Sequence, residues 1–377
     1  MPYWRLSGFY FVYFASLGAF VPYWNLYLQH LQFTATQTGV FIGTVMLTKI
    51  ISPNIWGWIA DHTGKRMAIV RIGCLLAALS YTGILFGQHF FWMLLVMLLF
   101  SFFWNAALPQ FEATTFNHLG EHHQHYSSIR LWGSIGFVVA VVSLGVVFEH
   151  WFSIAVLPWF MLSLLIALWL SSLIVPESAA GHMPLDHEPL RTIIRKPHVL
   201  GLLLACFCMQ VSHGPYYAIY SRYMQSYEYS VSAISWLWAI SVLAEVVLLL
   251  MFKMIKHIQL WKLLAGSLII SVIRWLLIAL LPEVGSVMVI AQMMHAATFG
   301  VYHVAAIGLI HQHFSGRHQG KGQALYSSIS FGAGGAVGSL YSGFVWDYLN
   351  RPMVFIISAL FSLLGLYFTL KYVRFKT

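Results

Sequence analysis

Ionisable side chains lie within long apolar segments of this chain, where each is costly unless it is paired or faces a water-filled cavity. Lys49, Glu245 and Arg274 lie well inside such segments, and Glu112 and Arg130 lie near the ends of two others. A lysine or arginine there can neutralise an anionic ligand, and a glutamate that moves between apolar and charged surroundings can take up and release a proton. These residues therefore predict ligand and proton binding inside a membrane.

Histidine and aromatic residues extend this set at helical spacing. His213 precedes Tyr217 by four positions, and His295 and His303 flank Phe299 in the same way. Polar groups that face lipid stay unsatisfied, so such faces are expected to line a cavity. The candidate substrate-binding residues are Lys49, Glu112, Arg130, His213, Tyr217, Arg274 and His295, and the candidate proton-coupling residues are Glu245, His295 and His303.

Glu245 shares a helical face with Trp238 and Ser241. Burial favours its neutral acid and a nearby Arg274 favours its carboxylate, so switching between those surroundings is a workable proton-coupling device. The alternative is a permanent structural pair between Glu245 and Arg274.

Lys49 also has two interpretations. It either holds an anionic substrate or pairs with Glu112 or Glu245. Asp347, near the outer end of its segment, is expected to cap or pair at an interface.

The composition identifies an integral membrane protein. Of 377 residues, 59% are hydrophobic and only 8% are charged, which is too little polar surface to coat a soluble globule. Apolar runs of about 20 residues are long enough to cross a bilayer as helices. We predict an all-α membrane protein with twelve transmembrane helices, at 5–28, 37–59, 67–87, 90–112, 128–149, 152–174, 198–221, 231–252, 259–281, 285–310, 322–344 and 352–372.

The positions of the basic residues predict the orientation. With both termini inside, only Arg222 and Arg351 of the 20 Lys and Arg fall on the outer side, and Lys49 and Arg274 fall within the membrane. This bias predicts two cytoplasmic termini. The net charge of +9 is spread over separate short loops, so it indicates topology and not nucleic-acid binding.

The chain is predicted to consist of two six-helix halves. A polar stretch at 176–196 separates residues 1–175 from residues 197–377 and is expected to be a cytoplasmic linker. Tyr126–Ile129 recurs as Tyr326–Ile329, and Phe33–Thr36 has a counterpart in Tyr229–Ser232. The nearly constant spacing of these pairs is typical of parallel repeats.

A short charged turn between the second and third segments carries the first family resemblance. Gly57, Asp61, Gly64, Lys65 and Arg66 resemble the signature loop of major facilitator transporters, which changes contacts between conformations. Gly57 is expected to let helices approach closely, and Gly64 is expected to permit a tight turn. Asp61 can pair with a helix end or a cation, and the two basic residues hold the turn in the cytoplasm.

No catalytic or metal site is predicted. The glycine-rich run Gly332–Gly338 lies in an apolar segment without a preceding strand, which favours helix packing through a small-xxx-small face over nucleotide binding. His118, His122, His123 and His125 lack regular tetrahedral ligand spacing, so a solvated loop is favoured and no metal is assigned. The chain is not predicted to be an enzyme.

Longer motifs sharpen the resemblance over nearly the whole chain. Arg130–Phe137, Leu237–Glu245, Arg274–Trp275 and Gln292–His295 together resemble the phenylpropionate permease family of bacterial proton symporters. The chain is more distantly similar to the oligosaccharide and nucleoside symporters typified by lactose permease.

That distant resemblance implies roles for individual residues. Glu112 and Arg130 match the sugar-binding glutamate and arginine of lactose permease. Glu245, Arg274 and His295 match its helix-eight acid, helix-nine arginine and helix-ten histidine. Lactose permease has a proton-carrying carboxylate shortly after that histidine, whereas Thr298 and Phe299 follow here, so Glu245 inherits the proton-carrying role.

These observations predict a secondary transporter in the bacterial inner membrane. The leading hypothesis is proton-coupled import of a small aromatic carboxylate by alternating access, with a midplane site between the two halves. A sugar or nucleoside symporter is the alternative, and a ligand-binding membrane sensor is the third. The expected partners are a small-molecule substrate and the bilayer, with the proton as coupling ion, no other cofactor and a monomeric state.

Overall fold

A computed structural model describes residues 2–122, 125–177, 193–251, 257–314 and 318–374. Every regular element in these ranges is helical. The predicted linker is described only at its two ends, because 178–192 lie outside the described residues, as does His123.

Twelve helical segments follow one another along the chain. They are α1 (Tyr3–His30), α2 (Ala35–Thr63), α3 (Arg66–Phe86), α4 (Phe90–Leu119), α5 (Tyr126–His150), α6 (Ile154–Leu173), α7 (Pro197–Gln225), α8 (Val231–Leu250), α9 (Leu260–Leu280), α10 (Gly285–His313), α11 (318–348) and α12 (Arg351–Val373).

By length and composition, eleven of these segments can cross a membrane. The remaining one, α11, has the expected length but is rich in glycine and serine. The predicted all-helical architecture is confirmed, with most helix ends within four residues of the predicted ones and the end of α4 seven residues later. We call α1–α6 the N-terminal half and α7–α12 the C-terminal half.

The second helix of each half begins with the same local signal. Thr34 caps α2 by accepting a hydrogen bond from Gln37 N at 3.1 Å, and Ser230 caps α8 by accepting one from Ala233 N at 3.2 Å. Both hydroxyls satisfy a backbone donor that the first helical turn leaves free. The internal repeat that contains these residues thus corresponds to equivalent structural positions.

Glycines bring helices into close contact in the C-terminal half. A Cβ placed on Gly338 of α11 would lie 2.8 Å from Gly214 Cα of α7, and one on Gly334 would lie 2.8 Å from Phe207 O. Real Cβ atoms do not occupy such positions without a shift of backbone. The helix-packing interpretation of the glycine-rich run agrees with these contacts.

The two halves meet mainly through α2 against α11 and α5 against α8. Hydrogen bonds between them concentrate at the end of the bundle where α2 and α8 begin. There, Asp347 binds Thr36 N, Glu149 binds Ser232 N, and Arg222 donates to Phe33 O. We call this the closed end, and we call the opposite end, where α2 finishes at the signature loop, the open end.

Cross-half contact is weaker towards the open end. Among the described residues, Asn54 Nδ2 and Ser328 Oγ provide a cross-half hydrogen bond there, at 3.5 Å. Hydrogen bonds between the halves are therefore sparser towards the signature loop among the described residues.

Three helices of the C-terminal half contain described π-helical turns. One ends α12 at Thr369–Val373, and the other two interrupt their helices, at Ala296–Val301 in α10 and Ser328–Gly334 in α11. A π turn inserts an extra residue and rotates the side chains that follow, and such turns are frequent at functional sites. Each of the two interrupting turns contributes one side chain, Phe299 or Phe331, to a cavity that lies between the two halves.

Candidate functional site

A cavity of about 260 Å³ lies between the two halves. The N-terminal half contributes side chains of α1, α2, α4 and α5, and the C-terminal half contributes side chains of α7, α8, α10 and α11. A ligand bound in this cavity would contact both halves, and alternating access relies on a site of this kind between two halves that move relative to each other.

Three charged residues from different helices reach the cavity wall: Lys49 of α2, Arg130 of α5 and Glu245 of α8. Within the described ranges, Lys49 and Glu245 make no hydrogen bond or ion pair. Lys49 is therefore not paired with Glu112 or Glu245, and Glu245 is not paired with Arg274. The guanidinium of Arg130 lies over the ring of Phe14, with its Cζ 3.9 Å from the ring centroid. The wall thus presents two cations and one carboxylate.

Aromatic side chains form much of the remaining wall, and they are supplied by both halves. They are Phe14, Phe20, Trp104, Phe137, Tyr217, Trp238, Phe299 and Phe331. Trp238, Ser241 and Glu245 all line the cavity, which confirms that they share one face of α8. An apolar cavity with a few convergent polar groups is typical of a small-molecule site.

Arg274 lies behind this wall and is fully buried. Its Nε donates to Ala291 O at 2.9 Å, and its Nη1 lies 3.1 Å from both His295 Nδ1 and Thr298 Oγ1. Its Nη2 lies 3.4 Å from Gln292 Oε1. The guanidinium is therefore held by neutral acceptors of α10.

Two aromatic rings complete the surroundings of Arg274. Its Cζ lies 4.6 Å from the ring centroid of Tyr216 and 4.5 Å from that of Trp275. The described part of the chain contains no ion pair between Arg274 and Glu245, so the permanent structural pair is not formed in this conformation. Cation–π contacts and neutral hydrogen bonds compensate the buried charge instead.

Hydrogen-bond chemistry assigns the tautomers of two histidines. An arginine can only donate, so Nδ1 of His295 accepts from Arg274 and the ring proton of the neutral imidazole lies on Nε2. Nδ1 of His213 lies 2.9 Å from Met209 O and must donate to that carbonyl, which leaves its Nε2 to accept from Arg274 at 3.5 Å. His295 lines the cavity as a neutral donor, whereas His213 lies behind the wall.

Two further candidates lie away from the cavity wall formed by the described residues. Glu112 accepts a hydrogen bond from Tyr126 OH at 3.3 Å, and it makes no ion pair with Arg130 in these ranges. His303 Nδ1 lies 3.2 Å from Tyr326 OH. The structure therefore brings together Lys49, Arg130, Tyr217, Glu245 and His295, and it separates Glu112, His213, Arg274 and His303 from the wall.

The signature loop contacts its own half in this conformation. Asp61 Oδ1 pairs with Arg66 Nη2 at 2.6 Å, and Arg66 Nη1 donates to Gln110 Oε1 of α4 at 2.7 Å. Asp61 therefore has a cation as partner, one of the two arrangements expected for it. Lys65 is exposed.

The two glycines of this loop differ in what they require. Gly64 ends α2 with φ of +69°, a conformation that favours glycine, as predicted. A Cβ on Gly57 would lie 3.5 Å from Gln110 Nε2, which is an ordinary contact. This conformation therefore does not require a glycine at position 57, and the expected close helix approach there stays a prediction.

Several wall residues were missed by the sequence analysis. On α1, helical spacing in the sequence offers Tyr13, Ser16, Phe20 and Trp24 as a candidate face, and of these only Phe20 lines the cavity formed by the described residues. The observed face consists of Phe14, Leu17, Phe20 and Val21. A helix this apolar has aromatic residues on every side, so periodicity alone does not select the correct face.

Two other missed residues did carry a sequence signal. Ser134 and Phe137 follow Arg130 by four and seven positions on α5, which places all three on one helical face. Trp104 had no comparable signal.

Comparisons with known proteins agree with this architecture. The model of the MFS_1 like family matches residues 3–357. The chain belongs to the MFS_1 like family. It is an integral membrane transporter of the major facilitator kind, with a small-molecule substrate, and it is not an enzyme.

Two named relatives align with nearly the whole chain. A probable 3-phenylpropionic acid transporter from Escherichia coli K12 is 27% identical, with 98% of this chain and 97% of that protein covered. The maltose permease of Geobacillus stearothermophilus is 25% identical, with 95% and 91% covered.

Solved structures share the fold at low sequence identity. A mutant of the nucleoside transporter NupG superimposes with a TM-score of 0.87 at 16% identity, over 98% of both chains. A bacterial homologue of the human lysosomal transporter Spinster gives a TM-score of 0.75 at 14% identity, over 99% of this chain and 98% of that one.

Proposed function

We propose that this transporter carries a small aromatic carboxylate together with a proton, by alternating access of the cavity between its two halves. The observation that carries this proposal is the position of Lys49, which reaches an aromatic cavity and has no acidic partner in the described ranges. A buried ammonium without a counterion is costly, and a carboxylate ligand removes that cost. The similarity to a probable 3-phenylpropionic acid transporter supports the same substrate class.

His295 and Arg130 add to the recognition of an anion. His295 offers its Nε2 proton because Arg274 occupies Nδ1, so the imidazole serves as a neutral hydrogen-bond donor. Arg130 supplies a second positive charge, from the same half as Lys49 and opposite His295. The substrate ring packs against the Phe and Trp side chains of the wall.

Glu245 is the proposed proton carrier. It is the carboxylate of the wall that the described residues form, and it makes no hydrogen bond or close ion pair there. A Cβ on Gly300, in the π turn of α10, would lie only 3.1 Å from Glu245 Cγ. Movement of this turn during transport therefore alters the surroundings of the carboxylate directly, as proton coupling requires.

The proposed orientation places the closed end outside the cell. Lys65, Arg66 and Arg71 lie at the open end, whereas the closed end carries Arg222 and Arg351. This distribution supports cytoplasmic termini in a bacterial inner membrane and a cavity that opens inward. The transporter is proposed to function as a monomer because each chain contributes both halves of the cavity.

A sugar or nucleoside is the second candidate substrate, and the relatedness to maltose permease favours it. That function relies on Glu112 and Arg130 as joint hydrogen-bonding partners. Because Glu112 binds Tyr126 away from the wall, a sugar would require its side chain to move into the cavity.

Uptake into proteoliposomes tests the proposal. The purified protein is reconstituted, and accumulation of labelled 3-phenylpropionate is measured with and without an inwardly directed proton gradient. Gradient-driven accumulation is expected. Failure to take up the carboxylate, together with uptake of maltose or a nucleoside by the same vesicles, would establish the second candidate instead.

A further inference from the structure

A second cavity, of about 400 Å³, lies at the closed end of the bundle, and we call it the outer pocket. Both halves contribute to its wall. Most of its polar residues are exposed, so the pocket opens to solvent at this end. The polar wall residues are Gln29, His30, Gln32 and Ser153 from the N-terminal half and Gln225 from the C-terminal half.

The outer pocket lies directly beyond the cavity that contains Lys49, which we call the central cavity. Four helices, α1, α5, α7 and α8, line both spaces. At about 1.5 Å of rise per residue, the two spaces are about 9 to 17 Å apart along these helices. The paired wall residues, with the central cavity first, are Phe20 and Leu26 on α1, Phe137 and Phe148 on α5, Tyr217 and Gln225 on α7, and Trp238 and Val231 on α8.

One layer of contacts separates the two spaces. Tyr23 OH of α1 donates to Val141 O of α5 and lies 2.6 Å from Ser235 Oγ of α8. A Cβ on Gly145 of α5 would overlap Ser235 Oγ, so the helices leave no gap at this level. Tyr23 and Ser235 belong to different halves and are buried. This layer therefore closes the path between the outer pocket and the central cavity in this conformation.

The polar groups of the outer pocket are within reach of a ligand. The side chains of His30, Gln32 and Gln225 are exposed, and within the described ranges they make no hydrogen bond. Amide and imidazole N–H groups can donate to a carboxylate. Leu26 and Phe148 are buried and give the same pocket an apolar surface for a ring.

The outer pocket differs from the central cavity in charge. Its described wall contains no lysine, arginine, aspartate or glutamate, whereas Lys49, Arg130 and Glu245 reach the central cavity. Hydrogen bonds from neutral donors are weaker than contacts with a charged partner. An aromatic carboxylate is therefore held less tightly in the outer pocket than beside Lys49.

We infer that the outer pocket is a second binding site for the aromatic carboxylate, where a molecule arriving from outside docks before the layer at Tyr23 and Ser235 opens. This inference rests on the proposed function and its orientation. Gln225 and Val231 lie on one half and the other wall residues lie on the other half, so opening of the closed end parts the pocket and joins it to the central cavity.

The number of substrate molecules bound per chain tests the inference. Binding of labelled 3-phenylpropionate is measured on the full chain in lipid nanodiscs, where both ends of the bundle are open to solution, and empty nanodiscs are subtracted. Two molecules per chain are expected. The second is expected to bind about 10-fold more weakly than the first, because neutral donors replace a charged one.

Gln32→Gly and Gln225→Ala are expected to weaken the second site about 5-fold or more each and to change the first about two-fold at most. Gln32 has φ of +64°, a conformation that favours glycine, so Gln32→Gly removes the amide without straining the turn. Lys49→Gln is expected to have the opposite effect, with the first site weakened and the second unchanged.

Gln323→Ala is the matched control. Gln323 is an exposed glutamine on α11 that lines neither space in the described part of the chain. Its substitution is expected to leave both affinities unchanged. Thermal melts of all variants identify any general loss of folding.

The outcomes separate this inference from the proposed function. One molecule bound per chain overturns the inference alone. A second molecule whose affinity is the same in Gln32→Gly, Gln225→Ala and the parent protein also overturns it, since that molecule binds elsewhere. Absence of any 3-phenylpropionate binding counts against the proposed function, and the inference is lost with it.

Discussion

Asp347 Oδ2 lies 2.8 Å from Thr36 N, so a carboxylate at the end of α11 caps the N-terminus of α2 in the other half. The internal repeat supplies a reciprocal contact, in which Glu149 Oε2 of α5 accepts from Ser232 N of α8 at 2.7 Å. In each half, an acid at the end of the fifth helix therefore holds the start of the second helix of the other half. Both contacts place a negative charge at the positive end of a helix dipole.

Removing these charges is expected to loosen the closed end. Each charge-assisted contact contributes about 1 kcal/mol, so Asp347→Asn combined with Glu149→Gln shifts the balance between conformations by about 2 kcal/mol, roughly 30-fold. Spin labels at the exposed positions Trp151 and Leu349, one in each half, measure the opening. A population with longer distances is expected in the double variant.

Glu283→Gln is the control for that experiment. Glu283 is an exposed carboxylate at the same end, and the described residues provide it with no hydrogen-bonding partner. Its substitution is expected to leave the distances unchanged. Unaltered distances in the Asp347 and Glu149 double variant would show that packing of α2 on α11 closes this end without the two caps.

Lys49 is expected to distinguish a carboxylate from its uncharged analogue. Lys49→Gln removes the charge, and the loss of a charge-assisted contact of about 2 kcal/mol lowers the affinity for 3-phenylpropionate roughly 30-fold. The affinity for 3-phenylpropionamide should change little, because the amide makes no ionic contact. Binding of both ligands is measured by competition.

The exposed Lys262 provides the matched control, because Lys262→Gln removes the same charge away from the cavity. No change in affinity for either ligand is expected there. If Lys49→Gln lowers the affinity for 3-phenylpropionate and for 3-phenylpropionamide equally, Lys49 shapes the cavity and does not bind the carboxylate charge.

Glu245 is expected to couple transport to the proton gradient. Glu245→Gln preserves the shape of the side chain but cannot take up or release a proton, so gradient-driven accumulation is lost while exchange of substrate across the membrane continues. Both activities are measured in the same proteoliposomes, with Glu121→Gln in an exposed loop as control. Loss of substrate binding in Glu245→Gln would assign the residue to recognition instead.

His295 is expected to donate a hydrogen bond and not to carry the proton. His295→Phe removes the donor and lowers substrate affinity about 10-fold, whereas His295→Gln retains an N–H and keeps most of the affinity. The ratio of protons to substrate molecules transported should be the same in both variants as in the parent protein. A changed ratio of protons to substrate would indicate that His295 takes part in proton coupling.

The sequence predicted much of the fold because bilayer-crossing helices have a simple physical requirement. A run of about 20 apolar residues specifies a span regardless of its neighbours. The repeat of Phe33–Thr36 as Tyr229–Ser232 was also visible in the sequence, and the structure shows that Thr34 and Ser230 within it cap α2 and α8. The π turns of α10 and α11 were not predicted, because they depend on packing between helices that are distant in the chain.

The site was predicted less well than the fold. Lys49, Arg130 and Glu245 were predicted as cavity residues because a charged side chain inside a membrane is costly unless it is paired or faces a water-filled cavity. Arg274 met the same criterion but lies behind the wall, since neutral groups such as Thr298 and aromatic rings can also compensate a buried guanidinium. Charge alone does not reveal which way a helix is rotated.

Close packing of α7 on α11 yields a prediction about stability. A Cβ on Gly338 would lie 2.8 Å from Gly214 Cα, so Gly338→Val forces the two helices apart at a cost of about 1–3 kcal/mol. The melting temperature in detergent is expected to fall by several degrees. Gly266→Val on α9 is the control, because a Cβ there meets no atom within 4 Å, and its melting temperature should not fall. An equal decrease for both variants would assign the effect to loss of glycine itself, whereas a decrease in Gly338→Val alone would assign it to the helix contact.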